Sequence, residues 1–200
     1  LNKLLIRILL HLQVEFSIKN TSMNDDEKTQ WFVMRDLKRR NAKLPAYKLL
    51  ANKGIKVFVP MTWQTIKRRG IVIREEIPVI QDLLFVYASR LHLDPIVEKI
   101  PTLQYRWLRN TFRKPMTVPD LEMEKFIFAV SSSKSPQYYL PEEITPQMYG
   151  HKIRIVGGTL DGYEGYLLTT RGSKVKRLLV ELENYLAVSV EVLPEFIQLI

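Results

Sequence analysis

The residues able to do chemistry in this chain are its cations. The three histidines, His11, His92 and His151, are scattered and lack the paired spacing of a metal motif. With no cysteine, neither a thiolate-ligated zinc site nor a disulfide framework is possible. Glu75-Glu76 and Glu142-Glu143 are adjacent in sequence, and consecutive strand residues point to opposite faces, so neither pair forms a shared acid site. The glycines from Gly157 to Gly165 are followed by no Gly-Lys-Ser/Thr and do not form a phosphate loop. No catalytic constellation, metal or cofactor is expected, and the chain reads as a binding protein. Two basic groups remain, Lys38, Arg39, Arg40 and Lys43, then Lys67, Arg68, Arg69 and Arg74. Their ammonium and guanidinium groups suit phosphates, which they contact without reading sequence.

Where the charge lies says more than its total. The formal net charge of the 200 residues is +9. Residues 31–114 carry 18 Lys and Arg against 6 Asp and Glu, whereas residues 150–200 carry 6 of each. A basic field concentrated in one half favours a polyanionic partner for that half. Apolar content of 46% and charged content of 26% are ordinary for a globular protein with one or two small domains.

The elements that must carry these cations follow from pattern. Residues 31–35, an aromatic and β-branched run, read as a central strand. Residues 43–53 read as a helix with Pro45 in its first turn and Gly54 as its C-terminal cap. Residues 55–59 are a second strand closed by Pro60. Residues 62–80 form a hairpin with its tip at 67–70, and residues 83–87 a buried strand. Asp94-Pro95 is expected to open a helix, with Asp as N-cap. Residues 103–108 return as a strand, and Pro119-Asp120 opens a helix with Met123, Phe126, Ile127 and Val130 on one face. This order implies an α+β fold, a sheet covered by helices. Serine and proline over 132–147 favour an extended linker.

A second folded region follows. Gly150 precedes a strand at 152–156, then come a Gly157-Gly158 turn, an Asp161-Gly162 turn and a strand entered through Gly165. Arg171-Gly172-Ser173 is a further turn. Leu178, Val180 and Leu182, then Leu186, Val188, Val190 and Val192, alternate with a two-residue period around Glu183-Asn184, as a small barrel requires. At the other end, the apolar run 4–10 is interrupted by Arg7, lacks a small-residue cleavage site and is too short to span a bilayer. Met23 is expected to be the natural start, with 1–22 an upstream extension; the alternative is an amphipathic helix docked on the domain.

The glycine pattern Gly150, Gly158, Gly162 and Gly165 resembles the KOW motif, the opening of an SH3-like barrel. Ahead of it, Trp31-Phe32-Val33, Val57-Phe58-Val59-Pro60 and Leu84-Phe85-Val86 are similar, in order and spacing, to the strands of the NusG N-terminal domain. The resemblance covers 31–200. It implies an extension (1–30), a NusG N-terminal-like domain (31–131), a linker (132–147) and a KOW domain (148–200). One departure stands out. Where many members carry Phe-Pro-Gly-Tyr or Pro-Asn-Tyr, this chain has Ile80-Gln81-Asp82-Leu83, which with the long basic hairpin is closest to the UpxY-type antiterminators.

The family resemblance implies a cytoplasmic, monomeric transcription elongation or antitermination factor that binds RNA polymerase, with capsular polysaccharide operons as the implied target and no membrane partner. Phe32, Phe58, Ile80, Leu83 and Phe85 match the polymerase-facing apolar depression, although core packing is the plainer reading of Phe32 and Phe58. The two basic groups would face non-template DNA or nascent RNA. The KOW region would recruit a ribosomal protein or another factor, and its balanced charge argues against RNA there. The alternative is a ribosome-associated structural or RNA-binding protein carrying a KOW barrel.

Overall fold

The computed structural model describes residues 26–38, 44–168, 174–182 and 185–200. Arg39, Arg40, Lys43, the Arg171-Gly172-Ser173 and Glu183-Asn184 turns, His11 and the extension up to residue 25 lie outside them. The fold is mixed α/β with antiparallel sheets, and the chain divides into two units, 1–59 with 81–117, and 60–80 with 118–200.

The first unit is built on β1 (Gln30–Asp36), β2 (Lys56–Phe58), β5 (Leu83–Ala88) and β6 (Leu103–Tyr105), in the order β2-β5-β1-β6. A short β7 (Thr117–Val118) also pairs with β1. The β1–β5, β1–β6 and β2–β5 pairings are antiparallel, with Phe32 opposite Val86 and Met34 opposite Leu84. Helices α1 (Ala46–Asn52) and α2 (Arg90–Lys99) send Ala46, Leu50 and Leu93 into a core with Phe32, Met34, Leu84, Val86, Leu103 and Tyr105. Strands β1 and β5 are buried on both faces, which is why they read as unbroken apolar runs.

Helix α1 follows Pro45 and stops at Gly54, whose φ of 75° is the left-handed conformation a glycine tolerates. Helix α2 corrects an expectation. It starts at Arg90, not at Asp94, because the Ser89 hydroxyl accepts the His92 backbone N–H at 3.3 Å and supplies the cap. Pro95 lies inside this helix. Asp94 instead accepts from Arg90 at 3.0 Å and from the Tyr105 hydroxyl at 2.6 Å. Burial, and then that bond to the Asp94 carboxylate, raise the Tyr105 phenol above its ordinary range.

The second unit holds a hairpin, β3 (Met61–Arg68) and β4 (Ile71–Pro78), and helix α3 (Asp120–Ser132). Its six-stranded sheet comprises β8 (Gln137–Tyr139), β9 (Tyr149–Ile155), β10 (Glu164–Leu168), β11 (Lys176–Leu182), β12 (Leu186–Val192) and β13 (Ile197–Leu199). The strand order is β13-β9-β10-β11-β12-β8. Helix α3 packs on β11 and β12, its Phe128 ring stacks on Tyr163 with centroids 6.1 Å apart, and the Tyr163 hydroxyl donates to the Lys125 carbonyl at 3.0 Å. The hairpin and α3, expected with the first domain, fall in the second unit.

Residues 132–147 are not simply an extended linker. Strand β8 pairs with β12, placing Tyr139 opposite Ala187 and Tyr138 opposite Val188. An edge strand tolerates the flanking prolines, since only one of its sides must bond. Burial and the nearby Glu76 carboxylate push the Tyr138 phenol up to about 12. Arg177, buried in β11, fixes the segment further. Its guanidinium donates to the Ser189 hydroxyl (2.9 Å), the Ser189 carbonyl (3.1 Å), Glu191 (3.0 Å) and the Ser135 carbonyl.

The bond from the Ser135 hydroxyl, and next Arg177, hold the Glu191 carboxyl below its ordinary 4.5. A depressed folded-state pKa contributes stability above the unfolded value that is lost as pH falls through the folded one. Acid titration of unfolding should therefore show a loss below about pH 4.5 that Glu191→Gln makes shallower. An unchanged profile in that variant would remove Glu191 from the acid response.

Candidate nucleic-acid and polymerase interface

The hairpin is closed by Arg69-Gly70, with φ of 51° and 84°, the two positive angles of a tight turn that follows the strand twist. Its register puts Trp63 opposite Glu76, Thr65 opposite Arg74 and Lys67 opposite Val72. Directly opposed residues share a face, so Trp63, Lys67 and Arg74 lie together on one side. All three are exposed, Trp63 by 58%, and the Arg74 guanidinium carbon sits 5.1 Å from the Trp63 ring centroid. Arg68 lies on the other side, 3.6 Å from Glu75, beside half-buried Ile66 and Ile73.

The four hairpin cations expected to act as a group therefore divide. Arg74 lies against the Trp63 indole, Lys67 stands further along the same face, Arg68 is partnered, and exposed Arg69 forms the tip. Sequence reading counted the charges and passed over Trp63. The signal was present, since two residues either side of a cross-strand pair share a face and reach one another diagonally.

Of the first basic group, Lys38 is described and is engaged. Its ammonium donates to the Leu44 carbonyl at 2.9 Å. Asp36, buried, accepts the Lys38 and Ala46 backbone N–H groups at 3.0 and 2.6 Å, which holds residues 38 and 46 to one carboxylate.

The five apolar candidates also divide. Phe32 lies in the core covered by α1 and α2 and has no exposed surface. Leu83 and Phe85 alternate with Leu84 and Val86 onto the opposite face of the sheet. That face also carries Trp31, Val33 and Tyr87. There Phe58 meets Phe85 at 6.2 Å, and the Lys56 ammonium lies 5.2 and 5.3 Å from the Trp31 and Tyr87 ring centroids. Leu83 and Phe85 are buried in this conformation (3% and 0% exposed), whereas Phe58 and Ile80 are half-buried.

The glycine pattern resolves into distinct roles. Gly150 lies within β9. The Gly157 N–H donates to the Asp161 carboxylate at 2.6 Å, and Gly158, at φ 72°, leaves room for the Phe196 ring. Gly162 turns with φ 77° in open space. Gly165 lies opposite Ile153, where a Cβ would stand 2.5 Å from the Leu179 carbonyl oxygen. Beside them an open groove of about 550 Å³ is lined by Tyr163, Tyr166, Lys125 and the carboxylates Glu122, Glu164 and Glu181, a mixed lining that does not favour a polyanion.

His92 and His151 are exposed, and no metal-holding group of His, Asp or Glu occurs among the described residues. Glu75 and Glu76 point to opposite faces of the hairpin, and Glu143 accepts the Leu140 N–H at 2.7 Å as a local cap. Among the described residues no helix is long and apolar enough to cross a membrane.

No protein-family model matches this chain, and no curated protein matches it. Among solved structures it is similar to one reported as domain interaction in Thermotoga maritima NusG, with 14% identity over 86% of this chain and 98% of that one, at a TM-score of 0.45. A likeness of that strength leaves function to be argued from the chain's own residues.

Proposed function

We propose that this chain is a NusG-type transcription elongation factor of the antiterminator class, a binding protein that engages RNA polymerase and nucleic acid during elongation. The observation that carries this reading is the exposed Trp63–Lys67–Arg74 face of the β3–β4 hairpin, in a chain whose net positive charge is concentrated in 31–114. An aromatic ring beside cations suits unstacked bases and their phosphates, as an opened transcription bubble presents them. The apolar face of Phe58, Leu83 and Phe85 is the polymerase contact in this reading, with Ile80 a further candidate in the sequence, and Leu83 and Phe85 become available to it on exposure. The glycine-rich sheet acts as the KOW-type SH3-like barrel and recruits a further protein. Promoting readthrough of long operons, capsular polysaccharide operons among them, is the corresponding activity.

Transcription in vitro over a template with a pause and a terminator tests it. Adding the full chain should raise the readthrough fraction, and the Trp63→Ala/Lys67→Ala/Arg74→Ala variant should lose that increase. A chain that leaves pausing and termination untouched would refute the reading.

A further inference from the structure

A second aromatic and basic surface lies in the first unit, between β6 and β7. There the chain makes an arch closed by the bonds Met116 N–H to Arg106 carbonyl (2.7 Å) and Leu108 N–H to Lys114 carbonyl (2.9 Å). Its tip is braced by the Thr111 hydroxyl, which donates to the Leu108 carbonyl at 2.9 Å. Asn110 and Arg113 hold left-handed φ of 59° and 45°, angles uncommon for residues other than glycine. This braced tip presents Phe112 at 92% exposure, the most of any large apolar side chain among the described residues. The Arg113 guanidinium carbon lies 5.6 Å from the Phe112 ring centroid. Half-exposed Trp107 stands on the arm, 5.5 Å from the buried Tyr105 ring.

The charge of the arch has one sign. Residues 103–118 contain four cations, Arg106, Arg109, Arg113 and Lys114, and no carboxylate. Arg106 is taken up by Asp82, which also binds Arg35. Arg109, Arg113 and Lys114 are exposed and make no ion pair among the described residues.

We propose that this arch tip is a second, separate stacking site for single-stranded nucleic acid. A base lies on the free face of Phe112, and Arg109, Arg113 and Lys114 meet the adjoining phosphates. The ligand class follows from the combination. A duplex hides its base faces, so a protruding ring finds a partner only on an unpaired strand. Entry of Phe112 into a bilayer would draw the Arg113 guanidinium out of water, whereas stacking leaves it solvated beside phosphate. The proposal uses residues of the arch alone and requires no polymerase.

The test is fluorescence anisotropy with the full chain and a labelled oligothymidylate of about 20 nucleotides, longer than one such site. A Trp63→Ala/Lys67→Ala/Arg74→Ala background removes the hairpin's contribution. Phe112→Ala should weaken binding about tenfold, within the range for loss of one base–aromatic stack, with an unchanged salt slope because no charge is lost. Phe112→Trp should retain wild-type affinity. Arg109→Ala/Arg113→Ala should instead flatten the log–log salt dependence by about 0.7 per lost phosphate contact. Unchanged thermal unfolding of Phe112→Ala, expected at so exposed a position, excludes misfolding. Oligonucleotide affinity indifferent to Phe112→Ala would overturn the proposal. So would a loss seen only on phosphatidylserine vesicles, which would assign the tip to a membrane.

Discussion

Replacing Gly165 by alanine is expected to lower the unfolding free energy by about 3 kcal/mol, the upper end of what overpacking a well-packed site costs. The added carbon would stand 2.5 Å from the Leu179 carbonyl oxygen and 2.9 Å from Leu178 Cδ1. The first of these is backbone of the neighbouring strand, where Tyr166 pairs with Leu179, so relief requires opening the β10–β11 ladder. Gly162→Ala is the control. It meets nothing within 4 Å and carries only the strain of φ 77°, about 1–2 kcal/mol. Urea unfolding should therefore rank wild type, then Gly162→Ala, then Gly165→Ala, and Gly165→Val should fall lower still. Equal costs at both positions would mean that the motif's glycines serve turn geometry alone and that strand approach at Gly165 is looser than described.

The second large effect belongs to the β3–β4 hairpin. Removing Trp63, Lys67 and Arg74 together should weaken binding to an elongation complex with an open bubble by about a hundredfold. One stacked base is worth about 1–3 kcal/mol, and the two cations add phosphate contacts. The components separate by salt. Lys67→Ala/Arg74→Ala should lower the log–log slope by about one unit per lost contact, whereas Trp63→Ala should shift affinity without changing the slope. Arg68→Ala should do little to either, because Arg68 lies on the opposite face beside Glu75. If Arg68→Ala matches Lys67→Ala/Arg74→Ala, the face assignment is wrong. If none of them alters the slope, the hairpin is a solvated surface.

What could be read in the sequence follows from how each element is stabilised. Strands β1 and β5 were legible because both faces are buried, leaving no polar residue to interrupt the run except Arg35. The hairpin tip was legible because Arg69-Gly70 sits midway between alternating segments. The start of helix α2 reads five residues late in the sequence because Asp94-Pro95 carries a strong local start signal. The cap that forms is Ser89, chosen by Leu93 docking in the core and Arg90 reaching Asp94. Strand β8 was missed because composition describes a chain's freedom and says little about an edge partner. Arg177, which binds the Ser135 carbonyl from 42 residues away, is not visible to any local window.

The candidate site shows the same division. Charge clusters are local and were found, although the assignment of Lys67, Arg68, Arg69 and Arg74 to faces needed the β3–β4 register. The Trp63–Arg74 contact and the Phe112 tip depend on cross-strand geometry and on exposure, neither of which residue type reveals. Of the apolar candidates, alternation correctly paired Leu83 with Phe85 on one face, but it could not show that both would be buried.

The central claim, that the full chain engages transcribing polymerase through protein and nucleic acid together, is tested most directly by equilibrium binding. Labelled full-length chain is titrated with an assembled elongation complex, with polymerase lacking nucleic acid, and with ribosomes. Binding to both polymerase forms is expected. Binding to the elongation complex should be tighter and more salt-sensitive, with that increment abolished in Trp63→Ala/Lys67→Ala/Arg74→Ala. Binding to ribosomes with none to either polymerase form would contradict it.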